Sequence, residues 1–193
     1  MMSSRQDVPT PGTRIAVVGT TGSGKTTMAR RLAARFGLRH VELDALNWGP
    51  DWQAAEIEVF RERVAAATAG DGWVLDGNYS VVRDIYWPRA DTVVWLDYPL
   101  PVIMWRLWWR TLRRVVTREK LWNGNREGLR NAFFSRDSIL LWALHTYDRR
   151  RKQYAALLAQ PESAHLTVIH FTSPRAADQW LEGLAAGQGL LRE

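Results

Sequence analysis

Eight consecutive residues constrain this chain more than anything else in it: Gly19-Thr20-Thr21-Gly22-Ser23-Gly24-Lys25-Thr26. The spacing is G-x-x-x-x-G-K-[ST]. A short apolar run, 14–18, leads in, and a segment with apolar residues at helical spacing, 26–36, leads out to Gly37. Glycines let a backbone wrap around a phosphate chain with its N–H groups turned inward, and the start of the following helix adds a partial positive charge. Within such a loop Lys25 would reach the β- and γ-phosphates of a nucleotide, and the Thr26 hydroxyl would ligate Mg²⁺. ATP and Mg²⁺ are therefore the expected cofactors.

The rest of the chain repeats the same alternation. Short apolar runs are expected as strands at 14–18, 39–43, 73–75, 92–96 and 166–170. Helical segments are expected at 26–36, 54–69, from Pro99 onward, at 136–159 and from Pro174. Strands alternating with helices predict an α/β fold with a mostly parallel, five-stranded sheet.

Composition narrows the class. At 193 residues, 46% apolar and 24% charged, the chain reads as one globular domain. That domain is expected over 13–187, with residues 1–12 disordered. The absence of cysteine excludes disulfides, thiolate metal sites and a cysteine nucleophile. No apolar run reaches the ~18–20 residues that span a bilayer, and the polar N-terminus lacks a signal-peptide core, so no membrane partner and a cytoplasmic location are expected. No feature speaks to oligomeric state.

Charge is unevenly placed. The net +6 comes from 23 arginines and three lysines set against 20 acidic residues, and segment 101–153 alone carries +9. Arg106, Arg110, Arg113 and Arg114 follow one another at i, i+4, i+7 and i+8, which places them on one helical face. Four like charges on a stripe repel unless a polyanion sits among them. Val102, Ile103, Trp105, Leu107, Trp109 and Leu112 are expected on the other face, toward the core. Three carboxylates, Asp44, Asp76 and Asp97, each follow an apolar run and would project toward the phosphate-binding loop, because ligands in open parallel sheets sit beyond the carboxyl ends of the strands. One would hold Mg²⁺ and another would orient or deprotonate an acceptor hydroxyl. A turn or helix-cap role is the alternative for each, most readily for Asp97 ahead of Tyr98-Pro99.

Taken together, Gly19–Thr27, Asp76-Gly77 after an apolar strand, and Asp97-x-Pro followed by Arg106 and Arg110 resemble the adenylate-kinase branch of small P-loop kinases, over nearly the whole chain. More narrowly, 43–48, 73–79, 89–97 and Trp122-Asn123-Gly124-Asn125-Arg126-Glu127 are similar to adenylate-kinase-like proteins labelled DNA topology modulation proteins. The resemblance implies a three-layer α/β/α P-loop NTPase fold with a small helical lid, here about 113–135. It implies that Asp76 supports Mg²⁺, that Arg106 and Arg110 clamp the phosphates, and that an acceptor site lies near Asp44. The implied activity is transfer of the ATP γ-phosphoryl group to a small acceptor, such as a nucleoside monophosphate. Two departures leave the acceptor open. Adenylate kinases continue Asp-Gly with Phe-Pro-Arg, where this chain has Asn78-Tyr79-Ser80, and there is no four-cysteine zinc lid. The alternative is a regulatory NTPase whose +9 stretch binds nucleic acid, although no nucleic-acid-binding motif is present.

Between the two central helices, Val115–Arg130 is polar and charged, with Gly124 and Gly128 as hinges and Arg118, Lys120 and Arg126 as additional cations. A kinase must keep water from the transferring phosphoryl group, so this segment is expected to close over ATP and to bring Arg126 beside Arg106 and Arg110.

Overall fold

The computed structural model of the protein describes residues 9–117 and 139–188. Five strands form one parallel sheet: β1 (Arg14–Gly19), β2 (Arg39–Glu42), β3 (Trp73–Asp76), β4 (Thr92–Leu96) and β5 (Thr167–Phe171), in spatial order β2-β3-β1-β4-β5. Each central strand is a short, unbroken apolar run because both faces of the sheet are covered. In β1, Ile15 and Val17 point to one layer while Ala16 and Val18 point to the other. The first layer is built by α1 (Lys25–Phe36) and α7 (Pro174–Gln188), through Met28, Leu32, Trp180 and Leu181. The second is built by α3 (Ile57–Ala67) and α4 (Arg83–Tyr86), through Phe60, Val64 and Tyr86. The long helices α5 (Leu100–Thr117) and α6 (Ile139–Leu158) stand beyond the carboxyl ends of the strands, where α6 gives Tyr147 to one core and Tyr154 to the other.

The expected α/β/α sandwich with five parallel strands is therefore present, with local differences. The second strand stops at Glu42, and Asp44 lies in the first turn of a short helix, α2 (Leu43–Asn47), rather than at a strand end. The third helix begins at Ile57, not near 54, because residues 48–54 close into a loop. Trp48 bridges Ala54, and the Gly49 N–H donates to Gln53 O at 2.7 Å. The single turn of α4 is too short to leave a periodic trace in sequence. Ahead of β1, Pro9 O accepts from Trp180 Nε1 at 2.9 Å and the Gly12 N–H donates to Thr92 Oγ1 at 2.9 Å, so residues 9–12 are tied to the sandwich. The expected lid lies outside the described residues apart from 113–117, which continue α5, and so does Arg126.

Candidate active site

A cleft of about 1700 Å³ opens beyond the carboxyl ends of β1, β2 and β3, roofed by α5. Its floor is the loop between β1 and α1. Gly24 caps α1 with φ +93, a left-handed value that disfavours any side chain, and no side chain caps the helix there. A Cβ at Gly24 would stand 3.0 Å from Arg106 Nη2, so the missing side chain also admits that guanidinium to the mouth of the loop. Thr21, Gly22, Gly24, Lys25, Thr26 and Thr27 line the cleft, while Thr20 and Ser23 are buried beneath it and Gly19 ends β1. Lys25 Nζ donates to Thr20 O at 3.1 Å. Burial lowers the Lys25 pKa to about 8, against the opposing pull of Asp76 and then Asp44.

The three strand-end carboxylates part company here. Asp76 sits under the loop, accepting from Thr26 Oγ1 at 2.6 Å on Oδ2 and lying 2.8 Å from His40 Nε2 through Oδ1. Asp44 also faces the cleft, and its Oδ1 accepts from the Tyr79 hydroxyl at 2.6 Å. Burial and the Asp44 charge raise the Tyr79 pKa far above the ordinary phenol value, so the phenol keeps its proton and donates it. Asp97 does not reach the cleft. Arg151 takes both of its oxygens, at 2.6 and 3.0 Å, and His170 Nε2 lies 3.2 Å from Oδ2. The expectation that Asp97 faces the phosphate-binding loop is thus corrected: it is a buried tie between β4, α6 and β5.

All four arginines of the α5 stripe, Arg106, Arg110, Arg113 and Arg114, line the cleft, so this part of the basic stretch that suggested nucleic acid borders the phosphate-binding loop's own cleft. The tryptophans of α5 differ from expectation. Ile103, Leu107 and Thr111 form the buried stripe, spaced by four, and Trp105 and Trp109 fall on the opposite side, 62% and 49% exposed. They pack on each other and on Trp108 and border the cleft instead of the core.

Residues not singled out as site residues in the sequence complete the arrangement. Asn78 donates from Nδ2 to Gly19 O at 2.7 Å and accepts from Tyr154 Oη at 2.8 Å, while Arg150 Nη1 donates to its carbonyl at 3.0 Å. The first glycine of the loop is thereby linked through β3 to α6. Gly77 makes this turn possible: its φ is +145, and a Cβ would come within 2.6 Å of the Leu43 side chain. The sequence signal for this group was present in Asp76-Gly77-Asn78-Tyr79, directly after an apolar strand, and in the Arg149–Lys152 cluster.

Comparison with known proteins agrees with the architecture. No family model matches the chain. A shikimate kinase from Synechococcus elongatus is 29% identical over 116 residues, which is 50% of this chain and 58% of that protein; a second Synechococcus shikimate kinase matches equally. The chain thus aligns with little more than half the length of these curated relatives. Among solved structures, shikimate kinase from Acinetobacter baumannii in complex with shikimate superposes with TM-score 0.52 over 94% of this chain and 96% of that one, at 18% identity. The chain has a P-loop kinase-like fold. None of the described helices is long and apolar enough to cross a membrane.

Proposed function

We propose that the protein is a Mg²⁺-dependent phosphotransferase that moves the γ-phosphoryl group of ATP to a small acceptor. The observation that carries this reading is the convergence on one cleft of Lys25 and Thr26 with Asp76, of a second carboxylate at Asp44, and of the α5 arginines. A nucleotide-binding module without transfer chemistry needs no second carboxylate in the cleft, and the oxygen that Asp44 engages is turned to Tyr79 rather than to the loop.

The residues fit the cofactors. The uncapped start of α1 and the Gly24 cradle suit the phosphate chain. Thr26 Oγ1 and Asp76 Oδ2 are hard oxygen donors of the kind Mg²⁺ takes alongside water and phosphate oxygens, and the bound ion supplies charge neutralisation at the reacting phosphates. Lys25, Arg106 and Arg110 would stabilise the charge that develops on the equatorial oxygens during transfer. Asp44 would face the acceptor.

An ATP-consumption screen against nucleoside monophosphates, sugars and small alcohols tests this reading. At least one class should stimulate ADP release, and Lys25→Ala should abolish it, a loss of about a thousandfold or more. Retention of most acceptor-dependent activity in that variant overturns the reading.

A further inference from the structure

The wall of the cleft around Asp44 is built differently from its floor. Residues 48–54 form a closed loop in which Trp48 and Trp52 meet edge to face, with ring centroids 5.8 Å apart and planes at 78°, and both line the cleft. Asp51 and Trp52 hold φ values of +54 and +57. A bulky non-glycine residue in the left-handed region is an outlier that persists only where its surroundings over-determine it. Here the strain is spent on presenting a large aromatic ring at the surface of the cleft, where it remains 37% exposed. An indole left part-open in the cleft that holds the phosphate-binding loop, on a strained backbone, is not explained by core packing.

The same loop is joined to the acceptor carboxylate. Asn47 Nδ2 donates to Tyr79 Oη at 3.5 Å, Trp48 also hydrogen-bonds that oxygen, and Tyr79 donates to Asp44 Oδ1. Phe60 packs edge-on against the Tyr79 ring, with centroids 5.1 Å apart, and holds it in place. One Asp44 oxygen is thereby fixed, which aims the other. Glu42 also lines the cleft. An attacking alcohol needs a carboxylate to take its proton, which a phosphate acceptor, already ionised, does not.

We infer that the Trp48–Trp52 corner and Asp44 form the acceptor subsite, and that the acceptor is a cyclic alcohol: a saturated, hydroxylated ring whose C–H face lies on the indoles. An edge-to-face pair makes a corner that suits a puckered ring, where a flat base would call for parallel walls. In the transfer, the acceptor O–H gives its proton to Asp44 Oδ2 as its oxygen bonds to the γ-phosphorus. The bond from that phosphorus to the β,γ-bridging oxygen breaks, its electron pair stays on that oxygen, and ADP leaves. Tyr79 touches no reacting atom and acts as a positioning residue.

The inference rests on the phosphotransfer reading, and the test separates the two. Monosaccharides and cyclitols, acyclic polyols of matching hydroxyl content, and nucleoside monophosphates are compared as acceptors, and the binding of each is measured by calorimetry with Mg²⁺ and a non-hydrolysable ATP analogue. Cyclic alcohols should bind and be phosphorylated, with monosaccharide and cyclitol arms telling the two ring types apart. Trp52→Ala should raise acceptor KM about tenfold at unchanged ATP KM, and Trp52→Phe should restore most of it. Equal use of acyclic polyols, preference for nucleoside monophosphates, an unchanged KM in Trp52→Ala, or failure of every cyclic alcohol to bind overturns the acceptor assignment. Cyclic-alcohol binding that depends on Trp52 but comes with no ADP release from any acceptor leaves the subsite standing and counts against the phosphotransfer reading instead.

Discussion

The ends of β3 and β4 look alike in sequence and do opposite things. Both strands pair with β1, both are short apolar runs, and both run into an aspartate that is almost fully buried. Beyond Asp76 the chain turns at Gly77, and Asn78 reaches back to the phosphate-binding loop. The Asp76 carboxylate is left facing Thr26 at the cleft floor. Beyond Asp97 the chain enters α5, and the carboxylate is closed off by the Arg151 fork and His170. A strand-end carboxylate becomes available for chemistry only where the packing around it leaves it on the wall of a cleft.

Substituting the two aspartates should separate these duties sharply. Asp76→Ala should reduce turnover by about a hundredfold or more, because the Thr26 hydroxyl loses its carboxylate partner and the proposed Mg²⁺ would lose a ligand. Unfolding in denaturant should show only a minor change in stability beside that loss. Asp97→Ala should do the reverse. Losing a buried, charge-assisted pair costs about 1–2 kcal/mol, discounted because Arg151 is half exposed and can rehydrate, while kcat per folded molecule stays near wild type. A catalytic collapse in Asp97→Ala would break the contrast.

A third variant sharpens it on the acceptor side. Tyr79→Phe removes the donor that orients Asp44 but leaves the ring packed on Phe60. It should lower kcat about tenfold at unchanged ATP KM, read from steady-state kinetics with the best acceptor. Loss of ATP affinity instead would place Tyr79 with the nucleotide.

The smallest effect is a proton. Lys25 titrates at about 8 in the folded protein against 10.5 unfolded. Between those values the unfolded chain binds more protons, so the cost of burying this ammonium is complete below pH 8 and disappears as pH rises through 10.5. Nucleotide phosphates favour the ammonium form, so ATP binding above pH 8 should take up a proton, at most one per site. Calorimetry at about pH 8.5 in two buffers of different ionisation enthalpy measures it, and Lys25→Met should abolish the uptake. No uptake in the wild type would mean that Lys25 is already charged in the free cleft.

How much of this was legible in the sequence follows from how local each feature is. The loop Gly19–Thr26 is contiguous, its glycines and its lysine act through neighbouring backbone, and the run of apolar strands around it is enough to imply the parallel sheet. The α5 arginines were readable for the same reason, since helical spacing alone puts Arg106, Arg110, Arg113 and Arg114 on one side. Spacing did not say which side would be covered, and Trp105 and Trp109 face the cleft because Ile103 and Leu107 took the core. The partner of each buried carboxylate was beyond reach as well. Asp97 lies 54 residues from Arg151, and Asp44 lies 35 from Tyr79. Local sequence determined the phosphate-binding loop, the alternation of strands and helices and the helical stripe, because those depend on short apolar runs, a period of 3.6 and residues in immediate succession. Only the tertiary structure decided that Asp76 lines the cleft while Asp97 is tied to Arg151 and His170, and that Tyr79 and the 48–54 loop stand beside Asp44, because those outcomes depend on which distant side chains the packed sandwich brings into contact.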